Sequence, residues 1–148
     1  MNTKITIIVI TAMLLLGGVY YLLFVPKQPA VLDTQNAQNV DKHLVEIFHL
    51  PHAPAVAVVE QAKEIIKKYP EYVIKEYDFD NESSSSKVAE YGLEGHMPVA
   101  IFIGGINTFT IDGAQISFQN FPKGDSFIPG FEGPWGYDDL ERVLSDNK

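Results

Sequence analysis

Cysteine is absent from the 148 residues. That excludes disulfides, thiolate nucleophiles, zinc–cysteine sites, iron–sulfur clusters and lipids carried on cysteine. Positive charge is scarce: 11 Lys and Arg stand against 19 Asp and Glu, a formal charge of −8. Nucleic-acid backbones are held by clustered Lys and Arg, so no nucleic-acid partner is expected. Internal repeats are lacking, and so is the G-x-S-x-G elbow of serine hydrolases. No two histidines stand at the i,i+4 spacing that puts metal ligands on one helix face. Low complexity is confined to the four serines at 83–86. What is present is ample apolar material, 46% against 20% charged, which excludes wholesale disorder in a chain of about one domain's length.

The longest apolar run covers residues 5–26, without a single charge. At about 1.5 Å per residue a helix of that length spans about 33 Å, enough for a hydrocarbon core of about 30 Å. A cleaved secretory signal is the competing reading, but its apolar region runs to only about 7–15 residues and ends at small residues. Here the run continues through Tyr20, Tyr21, Leu22, Leu23 and Phe24. The segment is therefore read as one transmembrane helix, an uncleaved signal anchor behind a short flank at 1–4. Lys4 and the amino terminus lie on one side, and Lys27 followed by Asp33 and Asp41 on the other. The positive-inside rule then gives a single-pass protein with its C-terminal domain on the extracytoplasmic, periplasmic or extracellular, side. Residues 27–41 are polar and aperiodic, a linker. Residues 42–148 form the one remaining domain.

Within that domain, residues 44–49 read as a buried strand bounded by Pro51. Residues 55–69 carry Val58, Ala62, Ile65, Ile66 and Tyr69 at helical spacing, and Pro70 ends them. Residues 72–79 are rich in β formers. A short helix at 83–91 has serines available as caps and Gly92 beyond its end. Residues 98–103 form an apolar strand stopped by Gly104 and Gly105. Asp112-Gly113 between 107–111 and 114–119 is a hairpin signal. A loop rich in Gly and Pro at 121–136 leads to a closing helix at 137–145, with Asp138 and Asp139 in its first turn. The order β-α-β-α-β-β-α predicts an α/β sandwich with a mixed sheet.

That order resembles the thioredoxin fold, and particular residues strengthen the likeness. In that family a strand with an acid and an aromatic leads into Cys-Gly-Pro-Cys at the start of the first long helix. Here Leu44-Val45-Glu46-Ile47-Phe48 leads to His52-Ala53-Pro54-Ala55, with the family's six-residue step from the acid to the first motif position. The family's Tyr-Gly block before a proline and an apolar strand is similar to Tyr91-Gly92-Leu93-Glu94-Gly95-His96-Met97-Pro98-Val99, which has one extra residue. The resemblance covers about 70% of the chain and none of the anchor. It implies a thioredoxin-like three-layer sandwich with a mixed four- to five-stranded sheet.

The departures carry the function. His52 and Ala55 stand where the family has cysteines, so thiol–disulfide exchange is excluded and no enzyme activity or cofactor is expected. Glu60 replaces the family's mid-helix proline. The resemblance also implies a cis Met97–Pro98 bond in a peptide groove formed by His96, Met97 and Pro98, where the Met97 backbone pairs an extended chain. Glu46 takes the place of the family's buried acid, and a Glu46–His52 proton pair is its functional reading beside a merely structural one.

Two other constellations enter. His49, His52, His96 and Met97 are candidate soft-metal ligands if they converge; otherwise they rim a groove. Phe118, Phe121, Phe127, Phe131 and Trp135 either dock a partner or fold back as a satellite core, and the second is expected. Asn81-Glu82-Ser83 fits a glycosylation acceptor in form only. The expectation is a membrane-anchored, redox-inactive domain binding a protein or peptide noncovalently. It would serve as an accessory to the folding of exported proteins or to a membrane complex. A metal-handling module, or a scaffold descended from an oxidoreductase, are its rivals.

Overall fold

The computed structural model describes residues 41–93, 97–126 and 129–147. The anchor read at 5–26 and all but the last residue of the linker lie outside them. Among the described residues no helix is long and apolar enough to cross a membrane.

β1 (Leu44–His49) is the central strand of a three-stranded sheet. It runs parallel to β2 (Val73–Asp78), with Leu44 opposite Val73 and His49 opposite Asp78. On its other side β3 (Val99–Ile103) is antiparallel, with Val45 opposite Ile103 and His49 opposite Val99. A parallel neighbour requires a crossover, which α1 (Ala53–Ile66) supplies. Pro54 sits in the first turn of α1, where its missing N–H costs nothing. The helix ends three residues short of the expected Tyr69. Lys68 and Tyr69 bond back to Ile65 and Ile66, tightening the last turn before Pro70.

Strand alternation divides the interior in two. Val45, Ile47, Val99, Ile101 and Ile103 point to one face, where they meet Val58, Val59, Ala62 and Ile66 of α1. Leu140, Val143 and Leu144 of α3 (Tyr137–Asp146) join the same cluster. Phe48, Ala100 and Phe102 point to the other face, under Leu93 with Val88 of α2 (Ser85–Glu90) and Tyr91. Apolar clusters thus lie on both faces of the sheet. Each large side chain removed from water contributes about 1.5–3 kcal/mol before entropy is charged.

The sheet is smaller than the expected four to five strands. β4 (Thr108–Ile111) and β5 (Ala114–Ser117) pair only with each other, as a separate ribbon. The reason lies at Gly104 and Gly105, both at positive φ, which turn the chain so sharply that Ile103 bridges Ile106. β4 therefore leaves the sheet instead of extending it. Only the residues after β5 return: Ile101 donates to the Phe118 carbonyl at 2.9 Å and Asn120 to that of Val99 at 2.8 Å. The ribbon's turn follows the expected chemistry, with Asp112 at φ 51° and Gly113 at φ 81°.

Two local readings resolve against the serines and for the loop. A 3₁₀ turn (Glu82–Ser84) precedes α2, and it is capped by Asn81, whose carboxamide oxygen accepts from the Ser83 N–H at 3.0 Å. An amide at that position reaches the second N–H beyond it, which a serine within the turn does not. In the long loop Phe118, Phe121 and Trp135 are buried in the larger cluster and Phe131 packs against it. Phe127 lies outside the described residues. Trp135 Nε1 donates to the Gln119 carbonyl at 3.1 Å. Gly133 is required there, since a Cβ would lie 2.0 Å from the same oxygen.

Candidate functional site

β1 ends and β3 begins at one end of the sheet, which brings together the turn after His49 and the segment ending at Pro98. Leu50 donates its N–H to the Pro98 carbonyl at 3.0 Å. His52 N-caps α1 in an extended conformation without a side-chain bond, and its own side chain is exposed. Of the other residues in that turn, Ala53 and Pro54 are exposed, while Ala55 is buried in the core under the helix.

Ala53 and Pro54 continue along α1 into a groove of about 410 Å³, whose α1 side is completed by Ala57, Val58 and Gln61. Gly124, Asp125 and Tyr137 form its opposite wall. The Tyr137 hydroxyl donates to Asp125 Oδ2 at 3.1 Å. Burial, followed by this carboxylate, holds the phenol above its ordinary range, so it remains a donor. Gln61, Gly124, Asp125 and Tyr137 were not singled out by the sequence. They come from elements far apart in the chain, and only the docking of α3 beside α1 assembles them.

One expectation about this end of the sheet is corrected. The Met97–Pro98 bond is trans, since no peptide bond among the described residues is cis. Trans is the intrinsic preference by about 0.5–1 kcal/mol, and the Leu50–Pro98 bond is satisfied with it. Met97 turns its side chain into the Phe48–Phe102 cluster, and His96 lies outside the described residues.

Glu46 does not pair with His52. Its carboxylate is only 2% exposed and accepts from the Tyr77 hydroxyl at 3.1 Å and from the Tyr91 hydroxyl, with Lys87 Nζ 3.9 Å away. Glu46 projects to the aromatic face of β1, which carries these phenols, whereas His52 belongs to a turn beyond the strand's end. Burial is the larger reason that Tyr77 and Tyr91 lie above the ordinary phenol range, and the Glu46 carboxylate adds to it. Both phenols therefore stay protonated and donate. The arrangement ties β1 to β2 and to the end of α2.

Of the candidate soft-metal ligands, His96 lies outside the described residues, and His49, His52 and Met97 are engaged or directed differently. His49 is 6% exposed, and both its ring nitrogens face protein oxygens: Nδ1 the Leu50 carbonyl at 3.0 Å, Nε2 the Glu76 carboxylate at 2.9 Å. That leaves neither nitrogen open to a metal. Glu76 also accepts from Lys63 at 2.9 Å. Burial raises the Glu76 carboxyl, but Lys63 and then His49 outweigh it, leaving the group below its ordinary value. Among the described residues no three of His, Cys, Asp and Glu are grouped to hold a metal ion.

No family model, no curated protein and no solved structure matches this chain.

Proposed function

We propose that the chain is a membrane-anchored, redox-inactive thioredoxin-like domain, displayed on the extracytoplasmic side, that binds a protein or peptide segment without covalent chemistry. The observation that carries the reading is the groove. It begins at Ala53 and Pro54, shortly after the Leu50 N–H that bonds the Pro98 carbonyl, and it lies along α1 and not at Met97 and Pro98, where the likeness puts the peptide. The β1–α1–β2 crossover, the antiparallel β3 and two helices against one face support the same likeness. Without cysteine the turn presents methyl and pyrrolidine surface, which suits burial of apolar side chains and no exchange of bonds.

Filling the groove is the direct test. Ala57 is exposed on α1, so Ala57→Trp occupies the groove without disturbing the core. With the full chain in nanodiscs, peptides selected from a random display library should lose binding to Ala57→Trp and keep it to Lys67→Trp, a surface change at the far end of α1. A library that yields no binder, or binders indifferent to Ala57→Trp, overturns the proposal.

A further inference from the structure

The groove is apolar along α1 and acidic at its opposite rim. Ala53, Pro54, Ala57 and Val58 supply the apolar side, while Asp125 stands in the opposite wall. The Tyr137 hydroxyl holds that carboxylate in place at 3.1 Å. A second carboxylate adjoins it: Glu132 accepts from the N–H of Gly124, itself a wall residue, at 2.9 Å. Asp138, exposed, follows Tyr137 directly.

No Lys or Arg is among the described residues that line the groove. Lys63, the nearest cation along α1, is held by Glu60 at 2.8 Å and by Glu76 at 2.9 Å. Lys123 is exposed beside Gly124 but is not part of the groove lining. A ligand in the groove thus meets hydrocarbon and the Gln61 amide on one side and the Asp125 carboxylate on the other. A second copy of the chain would bring an equally acidic surface, from a chain of charge −8, against that rim.

We infer that the occupant is a polypeptide segment that sets an aliphatic side chain on Ala57 and Val58 and a Lys or Arg of the same segment against Asp125. The inference rests on the peptide-binding reading above and adds the class of peptide to it. Aliphatic burial supplies affinity, and the rim charge selects the basic partner and speeds its arrival.

The experiment uses the full chain in phosphatidylcholine nanodiscs, with empty nanodiscs as the blank. Three fluorescein-labelled peptides with Gly-Ser flanks carry Leu-Lys-Val-Arg, Leu-Gln-Val-Gln or Leu-Glu-Val-Glu at their centres, and binding is read by anisotropy. The basic peptide is expected to bind tightest and the acidic one weakest. Asp125→Asn should weaken the basic peptide about threefold and flatten its salt dependence, as expected of one rim ion pair. Ala57→Trp should abolish binding, with far-UV circular dichroism confirming that both variants fold. If the neutral peptide binds as tightly as the basic one, and Ala57→Trp still abolishes both, the charge inference fails while the groove reading stands. If the peptides do not bind, or bind regardless of Ala57→Trp, both fail.

Discussion

The two faces of the central strand are built on different principles. Val45 and Ile47 meet two helices through aliphatic side chains, and that face closes by hydrocarbon burial. Phe48 and Glu46, one residue out of phase, meet rings. Phe48 stacks on Tyr77 at 4.8 Å and meets Phe102 edge-on at 5.7 Å, while Tyr77 and Tyr91 both bond Glu46. A six-residue helix cannot cover a sheet face as α1 does, so broad aromatic rings and a buried polar pin take its place. Cover on the first face is mostly apolar contact, with polar bonds such as Trp135 to the Gln119 carbonyl at its edge. On the second it depends on particular donors and acceptors.

Truncating neighbours on opposite faces tests whether both are true core. Ile47→Ala should cost about 2–5 kcal/mol and Phe48→Ala about 3–5 kcal/mol in chemical unfolding of the full chain in mild detergent. A cost below about 1 kcal/mol for Phe48→Ala would mean that the aromatic layer is a surface covering.

The polar pin should come next in size. Glu46→Leu leaves two phenols without their acceptor and is expected to cost about 2–3 kcal/mol, although leucine is the more apolar residue. Stabilisation by Glu46→Leu would instead place this carboxylate among buried charges whose desolvation outweighs their bonds. Tyr91→Phe, which removes one donor and leaves the ring, should cost about 1 kcal/mol.

Proton linkage separates further parts of the molecule with smaller effects. Tyr77 and Tyr91 have phenols raised in the folded state, so their contribution is complete below the unfolded phenol value of about 10 and falls away as pH rises beyond it. Tyr72 and Tyr137, which pack with the first face, are raised by burial and add to the same alkaline loss. Tyr91→Phe should therefore make the alkaline limb shallower without abolishing it. Glu76 has the opposite sign. Its folded value is lowered, so its contribution is present above the unfolded carboxyl value of about 4.3 and is lost as pH falls through the folded one. Lys63→Met should flatten this acid limb, measured as the unfolding midpoint between pH 5 and 2. An unchanged limb would show that Lys63 does not hold the carboxylate charged.

Much of the fold was legible because it is written locally. The strand at 44–49, the helix expected at 55–69 and found at Ala53–Ile66, and the Asp112-Gly113 turn each depend on neighbours in sequence, and each lies at or near the place its residues direct. The division of the sheet was not legible. It depends on how sharply Gly104 and Gly105 turn the chain, and glycine licenses many conformations without choosing one. The site was harder still. Glu46 stood out as a buried acid, but its partners lie 31 and 45 residues onward, and nothing local distinguishes a tyrosine that will meet a carboxylate.

By itself the sequence determined what chemistry is denied to this protein, where its apolar anchor candidate lies, and the order of its strands and helices. Those properties belong to composition and short-range periodicity, which no folding step alters. Only the tertiary structure decided that Ala53, Pro54 and Ala57 face Asp125 and Tyr137 across a groove, and that His49 turns to Glu76 and not to His52. Such pairings arise when helices dock on a sheet, where partners are chosen by packing across the chain and not by distance along it.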